Sequence, residues 1–184
     1  MNGITKLKNI IIDSGMENYK IIIVENNGKR PTFLDLLDCE VYYTENNKLP
    51  TNNRGYKELQ DVFDCIHHYA IKDDDFIVKM TGRYVLHDDS AFMNIIKNIH
   101  NTKYDCIIRY GVYNKPVPYK VDDCTTGLIG MTCFYVKQIT RPNNSDSVEW
   151  NWAKATRQIP DAKVCILNTL GINICPGSNN YIAV

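Results

Sequence analysis

The sequence contains no apolar run close to the roughly 20 residues that a membrane span requires. Its opening, "MNGITKLKNIIIDSG", has neither a basic leading region nor a small-residue cleavage site. These absences predict a soluble, cytoplasmic chain with no membrane span. No excess of charge is present either: 21 Lys and Arg face 21 Asp and Glu. A protein that coats nucleic acid needs a basic surplus to neutralise phosphates, so no nucleic-acid partner is expected, although one basic pocket remains open. Cysteine pairs are lacking as well. Cys39, Cys65, Cys106, Cys124, Cys133, Cys165 and Cys175 are odd in number, scattered and without a CxxC, which reads as reduced, mostly core residues. "CIHH" (65–68) brings only Cys65 and His68 to one helical face, and no second ligand pair follows it.

Several catalytic signatures are missing. Neither GxxxxGK[ST] nor GxGxxG occurs, which argues against a P-loop or a dinucleotide enzyme. A PD-(D/E)xK nuclease needs an acid two residues before its lysine, and Ile77 stands there before Lys79. A Cys-His hydrolase has no local support. There are no internal repeats and no low-complexity linker.

What is present is a chain of 184 residues, 44% hydrophobic, enough for one domain with a real core. A helical period over "ITKLKNIIIDSG" ends at Gly15, a C-cap candidate. "YKIIIVENNG" reads as a strand closed by a turn, and "CEVYYTEN" as a second strand. "TNNRGYKELQDVFDCIHHYAIK" puts Tyr56, Leu59, Phe63, Ile66 and Ala70 on one helical face, with Asn52 or Asn53 as N-cap. Strand "FIVKM", helix "SAFMNIIKNIH", strand "YDCIIRYG", a Pro-containing loop and strand "LIGMTCFYV" follow. Two helices, "SDSVEWNWAKATRQI" and "PDAKVCILNTL", and a short strand "INICPG" complete the reading. Strands alternating with helices predict a three-layer α/β/α sandwich.

In such sheets ligands bind beyond the carboxyl ends of the strands. Four of the expected strands end in polar clusters: Glu25-Asn26-Asn27, Thr44-Glu45-Asn46, Lys79 to Arg83, and Arg109-Tyr110. Lys79, Thr81 and Arg83 around Gly82 suit an anion, the arginine as a planar bidentate donor; the alternative is ion pairing with Asp73, Asp74 or Asp75. Glu25 suits a ribose hydroxyl, and its neighbours equally suit a turn. Asn53-Arg54-Gly55 opens a helix, where free N–H groups favour anions. Asp88 and Asp89 are candidate metal ligands, or a loop with Asp89 as N-cap. Glu149 is a candidate general base, or the partner of Asp146 in a capping-box-like pair. Val148, Trp152 and Ile159 form a core stripe that Trp150 leaves, which makes Trp150 a candidate sugar platform.

The order "YKIIIVENNGKRPTFLD", "NNRGYKELQDVFDCI", "DDDFIVKMTGRYVL" and "SVEWNWAKA…LGINICPG" resembles the small glycosyltransferase-like proteins of giant DNA viruses and some bacteria. The resemblance runs from about Lys20 onward, with the strand-end K-x-T-G-R-Y as its most specific element. It implies one GT-A-like domain over 1–184 with a mixed, mainly parallel central sheet, divided into a nucleotide-sugar-binding half (1–110) and an acceptor-side half (111–184). The implied activity is transfer of a sugar from a nucleotide-diphosphate donor, a UDP- or GDP-sugar, to a hydroxyl of a glycan or glycoprotein, in the host cytoplasm where such a chain is viral. A non-catalytic domain that binds a nucleotide-sugar or glycan is the alternative.

Residue by residue, the resemblance implies Glu25, Asn26, Asn53 and Arg54 on the nucleotide side, Lys79, Thr81 and Arg83 along the diphosphate, and Glu149 on the acceptor side. Catalysis would rest on Glu149 and Arg83. Typical members hold Mn2+ or Mg2+ with a DXD motif; here that place reads Lys-Met-Thr-Gly-Arg-Tyr, and Asp88 and Asp89 follow late for a substitute. Such domains also open with a strand before the helix that starts this sequence, so the resemblance implies a pocket wall not supplied by these residues unless another chain, as in a homo-oligomer, provides it.

Overall fold

A computed structural model of the chain describes residues 2–174 and 182–184. Helix α1 (Asn2–Asp13) is followed by Gly15 at φ 64°, in the left-handed region where a C-cap was expected. Strands β1 (Ile22–Glu25) and β2 (Glu40–Tyr43) pair in parallel. Helix α2 (Arg54–His68) is capped by Asn53, whose side chain accepts from the Tyr56 amide. It buries Leu59 and Ile66 and half-buries Phe63, while Ala70 lies past the helix end in a left-handed conformation.

The main sheet joins β3 (Phe76–Met80), β5 (Cys106–Ile108), β6 (Leu128–Thr132) and β7 (Val164–Ile166) in the order β3-β6-β5-β7. β6 runs antiparallel to both β3 and β5, and β7 runs parallel to β5, so β3, β5 and β7 share one direction. Alternation along these strands separates two apolar layers. Ile77, Cys106, Ile108, Ile129 and Met131 face one layer with Leu59 of α2 and Trp152 of helix α5 (Val148–Ala155). Phe76, Met80, Ile107 and Leu128 face the other, with Ile10 and Ile11 of α1 and Phe92 of helix α3 (Ala91–Ile96). A small antiparallel sheet of β4 (Val85–Leu86), β8 (Ile172–Ile174) and β9 (Ile182–Ala183) closes that second layer.

This is a mixed α/β architecture, with three corrections to the reading by pattern. The sheet is not continuous: among the described residues β1–β2 form a pair of their own, and β1 and β3 each pair along one edge only. Val24 and Val78, mid-strand in β1 and β3, are exposed on a face of their strands. The segment "PDAKVCILNTL" is not a helix; after one 3-10 turn (Asp161–Lys163), Val164-Cys165-Ile166 pairs with β5, where its short apolar run is covered on both faces. The strand expected through Val136 stops at Thr132, because the Cys133 and Phe134 amides donate instead to Asp75 O and Asp73 O and start the helical turn α4 (Cys133–Val136). Strands β4 and β9 were not anticipated. Cys175, and the "INICPG" strand beyond Ile174, lie outside the described residues.

Candidate functional site

One face of α2 collects the ends of three strands. Asp61, buried, accepts Asn26 Nδ2 from the end of β1 (2.9 Å) and Thr44 Oγ1 (2.6 Å) and Asn46 Nδ2 (2.7 Å) from the end of β2. One turn earlier, Glu58 accepts Lys79 Nζ from β3 at 2.7 Å. At the start of α2, Asn53 Nδ2 donates to Asn143 O and Asp146 O, both 2.8 Å, which ties this helix N-terminus to the entry of α5. The carboxyl ends of β1, β2 and β3 therefore line one rim along α2, whose N-cap is tied to the entry of α5.

Lys79 is the hub of that rim. Besides Glu58, its ammonium donates to Thr126 O (2.7 Å) and Thr81 Oγ1 (3.3 Å). Thr126 then donates its hydroxyl to Glu149 Oε1 at 3.1 Å, and Ser147 donates to Glu149 Oε2. An unbroken polar line thus runs Glu58–Lys79–Thr126–Glu149. It depends on Gly127: a Cβ there would sit 1.9 Å from Tyr84 Cε2, because the Tyr84 ring lies directly against it. Thr81 N donates to Gly127 O and Tyr84 N to Thr81 O, so "TGRY" is a tight turn holding Arg83 out toward solvent. Among the described residues no carboxylate pairs with Arg83 or with Arg54, which is also exposed.

The expected residues divide clearly. Lys79, Thr81 and Glu149 come together with Thr126, and Trp150, 46% exposed, follows Glu149 on α5. Lys79 does not pair with Asp73, Asp74 or Asp75; Asp73 pairs with Lys137, and Asp75 accepts the Lys72 amide. Asn26 is turned inward to Asp61, and the Asn53 side chain is spent on capping and on α5. Glu25 accepts from the Asn27 backbone and side chain and from Arg30. Burial raises its carboxyl, and those hydrogen bonds outweigh that and hold it below its ordinary value. The N-cap of α5 is Ser147 rather than Asp146, and that of α3 is Ser90 rather than Asp89, each one residue later than the pattern suggested. Asp88 pairs with Lys6 of α1 and Asp89 is exposed.

A divalent metal does not fit here. The end of β3 offers an ammonium and a guanidinium, and among the described residues no three His, Cys, Asp or Glu side chains gather to hold an ion. His68 stacks on Tyr42 at 4.6 Å and Cys65 is buried, its thiol pushed up to about 12 by burial and by Asp61 and Asp64.

Five residues were not picked out by sequence as site residues: Glu58, Asp61, Asp123, Thr126 and Tyr113. The Glu58/Asp61 spacing of three, one helical face, was a usable signal. Asp123 lies beside Glu149; its carboxyl is raised by burial, opposed by the Cys124 amide and reinforced by Glu149. Arg109, noted as a strand end, is buried rather than on the rim. It donates to Asn168 O, Val112 O, Tyr113 O and Thr125 Oγ1 with no carboxylate among its partners.

No family model matches this chain, and no curated protein matches it. Among solved structures it is similar to A197 from STIV, with a TM-score of 0.51 and 12% identity over 88% of this chain and 87% of that one. At that identity the likeness is one of fold, a mixed α/β domain with a mixed sheet.

Proposed function

We propose that the chain moves a sugar from a nucleotide-diphosphate donor to a hydroxyl acceptor on a GT-A-like fold, in glycan assembly. The observation that carries the reading is the line Lys79–Thr126–Glu149, which sets a cation and a carboxylate at opposite ends of one threonine. In the reaction the acceptor oxygen bonds to the anomeric carbon as the bond from that carbon to the diphosphate oxygen breaks. Glu149 takes the acceptor proton, and the electron pair leaves with the diphosphate. Lys79 and Arg83 stabilise that developing charge directly, with no step routed through a metal. The diphosphate replaces Glu58 as the partner of Lys79, an exchange helped by the half-exposed Glu58 side chain.

A second reading, a nucleotide-sugar- or glycan-binding domain without turnover, has its own support: both Glu149 oxygens already accept hydrogen bonds, and all three Lys79 protons are engaged. Titration with UDP-, GDP- and CDP-sugars, with and without Mn2+, followed by a donor-hydrolysis assay, separates the two. Transfer or hydrolysis that is lost in Glu149→Gln supports the first. Saturable binding without turnover supports the second. No binding by the parent protein, with Arg83→Ala as its reference, removes both.

A further inference from the structure

We propose that the Tyr113 ring is a preformed stacking platform for the nucleoside base of the donor, and that Arg109 is the positioning residue that holds it there. This inference rests on the donor site proposed above. Tyr113 lies in the segment between β5 and β6 and is 38% exposed. Exposed tyrosines are common, but this one is fixed at both ends. Its carbonyl accepts Arg109 Nη2 at 2.6 Å, and Val112 O accepts Arg109 Nη1 at 3.2 Å. The turn is closed by Lys115 N donating to Val112 O at 2.9 Å, and at the ring's far end the Tyr113 hydroxyl meets the Tyr84 hydroxyl at 3.3 Å.

Burying a guanidinium with only neutral acceptors is costly, and fixing a solvent-facing turn yields little stability in return. Fixing a ring before its ligand arrives does have a use, because it removes the ordering cost from binding. The position of the ring indicates which part of the ligand it meets. Tyr84 lies against Gly127, next to the Thr126 that links Lys79 and Glu149. Tyr84 follows Arg83 directly in the TGRY turn and its hydroxyl meets that of Tyr113, so Tyr84 and Tyr113 belong to the Arg83 side of the rim. Sugar transfer needs the anomeric carbon on the Glu149 side. The other end of the diphosphate, which carries the nucleoside, then reaches Tyr84 and Tyr113, where a base offers a flat face to a tyrosine.

The test compares ligands with and without a base. UDP, GDP and inorganic pyrophosphate are titrated calorimetrically into the full chain and into Tyr113→Ala, Tyr113→Phe and Arg109→Lys, with melting curves to confirm folding. Tyr113→Ala weakens UDP and GDP about tenfold, the scale of one base–aromatic stack, and leaves pyrophosphate within twofold. Tyr113→Phe keeps most of the affinity, because the ring is retained. Arg109→Lys, with three donors for four acceptors in three segments, reproduces the selective loss. Equal losses of UDP and pyrophosphate in Tyr113→Ala, or no loss of either, overturn the platform while leaving the donor site standing. Failure of the parent protein to bind either ligand overturns the donor site and the platform together.

Discussion

Removal of the Asp61 carboxylate should detach the β1–β2 pair from the rest of the molecule. None of the eight residues of β1 and β2 is buried, and beyond the Tyr42 ring packed on His68 and Tyr69 little apolar area anchors them. The anchor is polar: one buried carboxylate accepting Asn26, Thr44 and Asn46, with Asn46 also donating to Asp64. Asp61→Ala leaves three donors without their acceptor, each worth roughly 1–3 kcal/mol when it stays buried. Thr44 and Asn46 border exposed residues and partly regain water, so the net loss is about 3 kcal/mol rather than the full sum. Asp61→Asn keeps one acceptor oxygen for Thr44 and Asn46, and a turned Asn26 amide answers the new NH2 group; its loss is about 1 kcal/mol. Urea unfolding measures both values, and hydrogen exchange locates them. In Asp61→Ala, amides of β1 and β2 exchange faster while those of β5 and β6, buried but for Thr132, keep their protection. A loss below about 1 kcal/mol, or faster exchange spread evenly over β5 and β6, would refute the claim that this carboxylate is the anchor.

Three further outcomes are expected. Gly127→Ala drives a methyl into Tyr84 and costs about 1–3 kcal/mol, seen as a melting point lower by several degrees, with UDP affinity falling as Tyr84 and Tyr113 move. Glu25, held below its ordinary pKa, contributes stability above the unfolded carboxylate range and loses it as pH falls through the folded value. Asp123, held above, contributes at acid pH and loses that as pH rises; so Glu25→Gln is destabilised most at neutral pH, Asp123→Asn is stabilised there, and both differences close on acidification in urea titrations. Glu58→Gln removes the anion that competes for Lys79, so pyrophosphate binds more tightly by calorimetry; weaker binding means that Glu58 supports the ligand instead.

Patterns that recur within a few residues carried most of the fold. The apolar run Phe76-Ile77-Val78, the 3.6-residue stripe of α2 and the Asn53 cap all come from local preference, and the structure keeps them. Where local preference and tertiary contact disagree, contact decides. Val164-Cys165-Ile166 has too short an apolar run to separate helix from strand, and its pairing with Cys106–Ile108, some 58 residues away, settles it. The strand at Thr132 ends because two loop carbonyls capture the next amides, and no residue type there announces it.

The same division explains the candidate site. Lys79, Thr81 and Arg83 stood out because cations at the end of an apolar strand are unusual, and Glu149 because it neighbours an off-stripe tryptophan. Thr126, which joins Lys79 to Glu149, is an ordinary loop threonine until β6 is laid beside β3. Its backbone carbonyl, rather than its side chain, meets the lysine, and a carbonyl leaves no mark on residue identity. Arg109 is the sharper case. In sequence it was one more polar strand end; in the fold β5 is covered on both faces, so Arg109 is sealed in and Lys79, on the edge strand β3, reaches the rim. Which strand becomes an edge is set by pairing order, a property of the whole chain. That choice places one cation in the polar line of the rim and turns the other into the clamp of a neighbouring turn.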